Sequence, residues 1–122
     1  MQVTTPLSDA LGKYLDLTSE QMKLTASNMA NVDTPGYRTK GFNFEQAFLA
    51  ELNGASGASD TLGAQAPVTN VDGLVSRPDG NNVSMDREGM QMAKDQLQFR
   101  FGVEVLRDQY QNVMSAIHAE DK

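Results

Sequence analysis

Ala26-Ser27-Asn28-Met29-Ala30-Asn31-Val32-Asp33-Thr34-Pro35-Gly36-Tyr37 carries a helical pattern to its end and turns it on a Pro-Gly pair. Upstream, Leu7, Leu11, Leu15, Met22, Ala26 and Met29 fall three, four or seven residues apart. That spacing places them on one side of a helix. Asn28 and Asn31 interrupt the run; Asn competes for backbone hydrogen bonds and suits a helix terminus. The pattern predicts a helix from Pro6 to Asn31, about 39 Å long, with Pro6 in the first turn, where its missing N–H is tolerated. Pro35 drives Thr34 out of the helical region. Pro35 and Gly36 fit the centre of a type II turn, one fixing φ and the other accepting a positive φ. Tyr37 is then aimed back at the helix or at a neighbour. Taken by itself the stretch also reads as an ordinary helix C-terminus followed by a turn.

Beyond the turn, Phe42, Phe44, Ala47, Phe48 and Leu49 form an apolar segment. The four-residue spacing of Phe44, Phe48 and Leu52 predicts a short helix over Asn43 to Leu52. Residues 53–82 are poor in large apolar side chains. Gly54 to Ser59 has the composition of a flexible linker. Val68 to Val71 and Leu74-Val75, separated by Asp72-Gly73, read as a short hairpin, which is marginal in water by itself. This middle region is expected to be mobile in the monomer and to order in an assembly. A last helix is expected over Met85 to His118, with Ser84 as N-cap and Asp86 and Glu88 near the positive end of its dipole. Gly89 within its first turns costs up to about 1 kcal/mol relative to Ala if exposed.

That last helix carries the clearest periodicity in the chain. Met85, Gly89, Met92, Gln96, Phe99, Val103, Leu106, Tyr110, Val113 and Ile117 alternate four and three residues apart, which is coiled-coil patterning. Met90, Ala93, Leu97, Phe101 and Val105 form a second row on an adjacent face. One antiparallel partner cannot cover both rows, so contact with more than one neighbour is expected. A wide stripe in a monomeric helical hairpin accounts for the same pattern equally well at this level.

Composition bounds the rest. A chain of 122 residues is at most one domain. Leu, Ile, Val and Phe make up about a fifth of it, close to the range in which disorder sets in. Seven Met add apolar surface that packs adaptably and specifies shape poorly. The formal charge of -6 and the sequence pI of about 4.6 argue against nucleic acid and anionic membranes as partners. With no Cys there is neither a disulfide framework nor a thiolate metal site. No apolar run is long enough to span a membrane. Met1 to Asp9 lacks the basic region and apolar core of a cleavable signal peptide, which alone reads as cytoplasmic. His118 is the single His and reads as solvent-exposed or as stabilising a helix end. No nucleophile elbow, phosphate loop or calcium loop appears. No enzyme activity, cofactor, metal or small-molecule substrate is therefore expected.

Ser27-Asn28-Met29-Ala30-Asn31 with Thr34-Pro35-Gly36-Tyr37 resembles the N-terminal signature of the bacterial flagellar rod and hook family of axial proteins. The likeness continues to Phe44. It returns in Asn81 to Glu88, Met92-Ala93-Lys94 and Gln96-Leu97, which look most like the B-type subunits of the proximal rod. It covers both ends of the chain and not the middle. Asp95 stands where that pattern usually has Asn, and Phe99 where it usually has Tyr. The resemblance implies a mainly α fold, with long terminal helices packed as an antiparallel, coiled-coil-like hairpin around a flexible or weakly β middle. It divides the chain into 1–52, 53–82 and 83–122 within one domain. It implies a structural subunit that joins other rod proteins, copies of itself and the export gate or other basal-body components. It also implies export without signal-peptide cleavage and residence in the periplasmic rod, and a drive-shaft role passing torque from motor to hook. Under it, Leu11, Leu15, Met22 and Met29 meet the Phe99 to Ile117 face, and Leu7, Leu11, Leu15, Met22, Met29, Met92, Leu97, Phe99, Phe101, Val103, Leu106, Tyr110, Val113 and Ile117 together serve the helix–helix and subunit interfaces. Asn28, Asn31, Pro35, Gly36 and Tyr37 shape the bend. A reading from another class, a soluble helical-hairpin adaptor or chaperone-like module, explains the heptads but not the Asn-Met-Ala-Asn and Thr-Pro-Gly-Tyr block.

Overall fold

The computed structural model describes residues 6–54 and 67–120. Along the chain run α1 (Pro6–Ala30), β1 (Lys40–Gly41), α2 (Phe44–Gly54), β2 (Thr69–Asn70) and α3 (Met85–Glu120). The helices begin and end where local chemistry dictates. Asp9 lies in the first turn of α1. At its end the Asn31 amide donates to Ser27 O at 3.1 Å, and Asn31 Nδ2 donates to the same carbonyl at 2.7 Å, satisfying an acceptor that the helix leaves open. Asn43 caps α2 by accepting the Gln46 amide at 3.0 Å. The Ser84 hydroxyl caps α3 from the Arg87 amide at 3.4 Å.

The long helices lie side by side in antiparallel register. Asn28 meets Glu88, Thr25 meets Asp95, and Leu15 packs on Gly102, so numbers fall along α1 as they rise along α3. At 1.5 Å per residue α3 is about 54 Å long and α1 about 37 Å. The last turns of α3, with Met114 and Ile117 both exposed, therefore project beyond Pro6. α2 docks on α1 through a three-ring cluster: Tyr14 stands edge-on to Phe44 at 5.3 Å and to Phe48 at 5.8 Å. Lys13 Nζ donates to Glu51 O at 3.0 Å, placing a cation at the negative end of the α2 dipole. No helix among the described residues is long and apolar enough to cross a membrane.

The interior is mostly polar. Among the described residues, the buried hydrophobic ones are Leu17, Ala47 and Val83, whereas the largest fully enclosed side chains are Glu88, Asn28, Asn81, Thr18, Thr39 and Asp95. Fourteen large hydrophobic residues among those described stand exposed, including Leu7, Leu97, Phe99, Phe101, Val103, Tyr110 and Ile117.

Two expectations need correction. First, the α3 face against α1 is only in part the apolar heptad row. The contact row is Glu88, Asp95 and Gly102, seven residues apart and all buried. Of the expected interface, Met92, Leu106 and Val113 are half-buried, while Leu97, Phe99, Phe101, Val103, Tyr110 and Ile117 are exposed. The physical reason lies on α1, whose inward row includes Thr18, Thr25 and Asn28; hydroxyl and amide groups enclosed there require polar partners. Leu11, Leu15, Met22 and Met29 are half-buried at the edges of this seam, and Leu7 is exposed. Secondly, Thr69-Asn70 pairs not with Leu74-Val75 but with Lys40-Gly41, in antiparallel register Lys40↔Asn70 and Gly41↔Thr69. Residues 67–82 hold the expected weakly β middle, the short strand Thr69–Asn70, and lie against the bend. They are held by the Val71 amide on Thr39 O at 2.9 Å and by Asn81 and Asn82, both buried. The short helix extends to Gly54, and the rest of the linker-like stretch through Ser59 lies outside the described residues.

Candidate functional site

The bend after α1 is built from two turns packed face to face. Across Pro35 and Gly36 the Tyr37 amide donates to Thr34 O at 3.2 Å, and Gly36 has φ 76°, the left-handed value that favours Gly. A second turn, with the Gly80 amide on Arg77 O at 2.8 Å, has Gly80 at φ 85°. The Gly36 amide donates to Asp79 O at 2.9 Å. A Cβ on Gly80 would sit 3.4 Å from Gly36 Cα, so the backbones approach closely.

Asn81 locks the two turns together. Its Nδ2 donates to Asn31 O at 2.9 Å and to Thr34 O at 2.8 Å. Its Oδ1 accepts the Val83 amide at 2.8 Å. Asn82 continues the seam: its Oδ1 accepts the Thr39 amide at 2.6 Å, and its carbonyl accepts the Thr39 hydroxyl at 3.2 Å. Arg77 adds a guanidinium contact to Val32 O.

Asn28 is the hub. Its Nδ2 donates to Lys40 O at 2.8 Å and to Glu88 Oε2 at 3.2 Å. Its Oδ1 accepts the Tyr37 hydroxyl at 3.0 Å and the Lys40 amide at 3.1 Å. Both donor sites and both acceptor sites of the amide are occupied. One side chain thus ties α1 to the turn, to β1 and to the start of α3. Glu88, enclosed against α1, is neutralised by Arg87 at 2.7 Å.

About two helix turns further along α3, Asp95 accepts Gln91 Nε2 at 2.8 Å and faces the Thr25 hydroxyl at 3.2 Å. That hydroxyl also lies 2.9 Å from Gln21 O, and it has one proton to give. Burial pushes the Asp95 carboxyl above its usual value, and nearby Glu88 adds to the rise; the Gln91 and Thr25 hydrogen bonds and Lys94 oppose it. Burial likewise raises the Tyr14 phenol. An open cleft of about 190 Å³ lies beside the hub, lined by Gln21, Thr25, Asn28, Lys40, Arg87 and Glu88 among others. Among the described residues no group of three His, Cys, Asp or Glu is placed to hold a metal ion.

The sequence-derived bend residues divide accordingly. Asn28, Asn31, Gly36 and Tyr37 make the contacts above. The Thr34 hydroxyl donates to Asn31 Oδ1 at 3.0 Å, and the Ser27 hydroxyl lies 3.5 Å from the Tyr37 hydroxyl. Ala30 ends the helix exposed, Met29 is half-buried and Pro35 is exposed. Sequence reasoning missed Thr25, Thr39, Lys40, Asn81, Asn82, Glu88 and Asp95 as members of this cluster. The recoverable signal was the seven-residue spacing of Glu88, Asp95 and Gly102.

This arrangement ties α1, the turn, β1 and the start of α3 into one junction. The family described as flagella basal body rod protein matches residues 15–38, the second half of α1 and the turn. The flagellar basal body rod protein FlgB of Salmonella typhimurium LT2 is 30% identical, over 84% of this chain and 86% of that protein. FlgB of Cereibacter sphaeroides is 30% identical over 95% of this chain and 99% of its own length. FlgB of Escherichia coli K12 is 27% identical over 86% and 88%.

Proposed function

The chain belongs to the flagellar basal-body rod protein family, and from that premise we propose that it is a structural subunit of the proximal rod. It is completed by its neighbours: copies of itself, other rod proteins and the export gate. It leaves the cell without signal-peptide cleavage, resides in the periplasmic section of the rod and passes torque from motor to hook. The observation that carries this reading is the inversion of α3, which turns polar residues towards α1 and leaves Met90, Leu97, Phe99, Phe101, Val103, Tyr110 and Ile117 exposed. A solitary protein loses stability by that choice. A subunit in a tube regains it, because side chains of this size contribute about 1.5–3 kcal/mol each when a neighbour covers them. The rigid bend suits a load-bearing part, since each buried amide there is tied at two or more points.

Deleting the gene and imaging basal bodies tests the function. The expected result is loss of every structure outward of the inner-membrane ring, restored by the wild-type gene. Intact rods and hooks in the deletion strain would overturn it.

A further inference from the structure

The exposed apolar residues of α3 lie on two separate lines. At 100° per residue, Met90, Leu97 and Phe101 fall on the back of the helix, roughly opposite Asp95 and so opposite α1. They are 77%, 68% and 64% exposed and form a ridge. Met92 and Phe99 fall on a flank beside the seam. There they join Met22 and Ala26 of α1 to line an open groove of about 380 Å³, with Ser19 and Lys23 at its rim. We propose that the ridge of one copy of this chain seats in the groove of the next.

Three features single out a second copy. Met90 and Leu97 on the ridge are seven residues apart, as are Met92 and Phe99 in the groove, so the two sets share the period that lets helices interdigitate over several turns. The charges are complementary. The ridge line carries exposed Asp86 at one end and Glu104 and Asp108 at the other, with Lys94 between Met90 and Leu97, and so is acidic on balance, whereas the groove rim presents Lys23, paired with Glu20. Lys23 and Glu104 are held only by surface pairs within their own helices, at 3.8 Å to Glu20 and 3.7 Å to Arg107, which exchange readily. Finally, the groove continues the α1–α3 seam itself, so a third helix there extends an interface that already exists. Because ridge and groove point in different directions, the contact is heterologous and propagates instead of closing as a two-fold dimer.

The inference rests on the rod reading, and disulfide trapping separates the two. The chain has no Cys, so paired cysteines report without background. Full-length Ala26→Cys and Leu97→Cys proteins are purified, oxidised separately and mixed, and then trapped again in basal bodies isolated from a strain that expresses both. A cross-linked dimer is expected only when the two are together, and Lys23→Glu in the groove copy should deplete it. Val75→Cys, at a site 90% exposed in the loop after β2, sets the level of random collision. Leu97→Cys cross-linking with itself as strongly as with Ala26→Cys would overturn the proposal in favour of a two-fold contact. Cross-linking no higher than with Val75→Cys, in solution and in basal bodies, would overturn it while leaving the rod function standing. Intact rods in the deletion strain would remove both.

Discussion

Replacing Asn28 with Asp changes almost no volume and reverses two hydrogen bonds. The Nδ2 group that donates to Lys40 O and Glu88 Oε2 becomes an oxygen facing two acceptors. Losing a hydrogen bond to a charged group costs about 1.5–3 kcal/mol, and stranding the Lys40 carbonyl adds about 1–3 kcal/mol. The two together come to about 3–6 kcal/mol, against roughly 5–15 kcal/mol for the whole stability of a typical domain. With three buried hydrophobic residues among those described, this chain belongs towards the lower end of that range, so Asn28→Asp is expected to unfold most of the hairpin at neutral pH. The deficit has a direction in pH. The new carboxyl faces Glu88, so its folded pKa is raised above the unfolded one; its favourable state is the protonated one, and the loss shrinks as the pH falls. Urea titration followed by far-UV circular dichroism at several pH values measures both effects. Asn112→Asp, the same chemical change at an exposed site on α3, is the control and should stay within about 0.5 kcal/mol of wild type. Equal midpoints for the two variants would refute the assignment of Asn28 as the hub.

Gly36→Val should cost about 1–3 kcal/mol through the positive φ alone, since a Cβ there meets nothing within 4 Å; swimming in soft agar should fall with the melting temperature, and unchanged motility would contradict the turn. Asp95→Asn should behave differently with pH. Burial raises the folded pKa of Asp95 above its unfolded value, so its stabilising contribution is complete below the unfolded pKa and is lost as pH rises through the folded one. The Asn variant can donate to Thr25 Oγ1 and frees that hydroxyl for Gln21 O. It should therefore gain on wild type between about pH 4 and about pH 7, and parallel melting curves at both would count against burial of a charge there. Gly89→Ala should raise stability by about 0.8–1 kcal/mol, because Gly89 is exposed with open space where a Cβ would stand; a lower melting temperature would reveal a contact not yet identified.

The elements and their ends were legible because they depend on neighbours in sequence. The first helix was expected to end at Asn31 and ends at Ala30; the last was expected to stop at His118 and reaches Glu120. Pro35-Gly36 announces its own turn. The β-pairing was not legible, because Thr69-Asn70 finds its partner at Lys40-Gly41, far along the chain, while the nearer Leu74-Val75 offered the same local pattern. Nor did Asn81 reveal its role: only the approach of a second turn shows that its amide spans two carbonyls.

Chain alone therefore determined the helices, the bend, the shortage of apolar core and the surplus of apolar helix surface. These follow from residue period, φ restriction and composition, all of which are local. Which stripe of α3 faces inward was decided only in three dimensions. A hydrophobic row looks the same in sequence whether it is kept for α1 or for another molecule. What settles it is the polar row on α1: enclosed Asn28 donates to Glu88 and enclosed Thr25 lies against Asp95, while Phe99 and Val103 stay exposed.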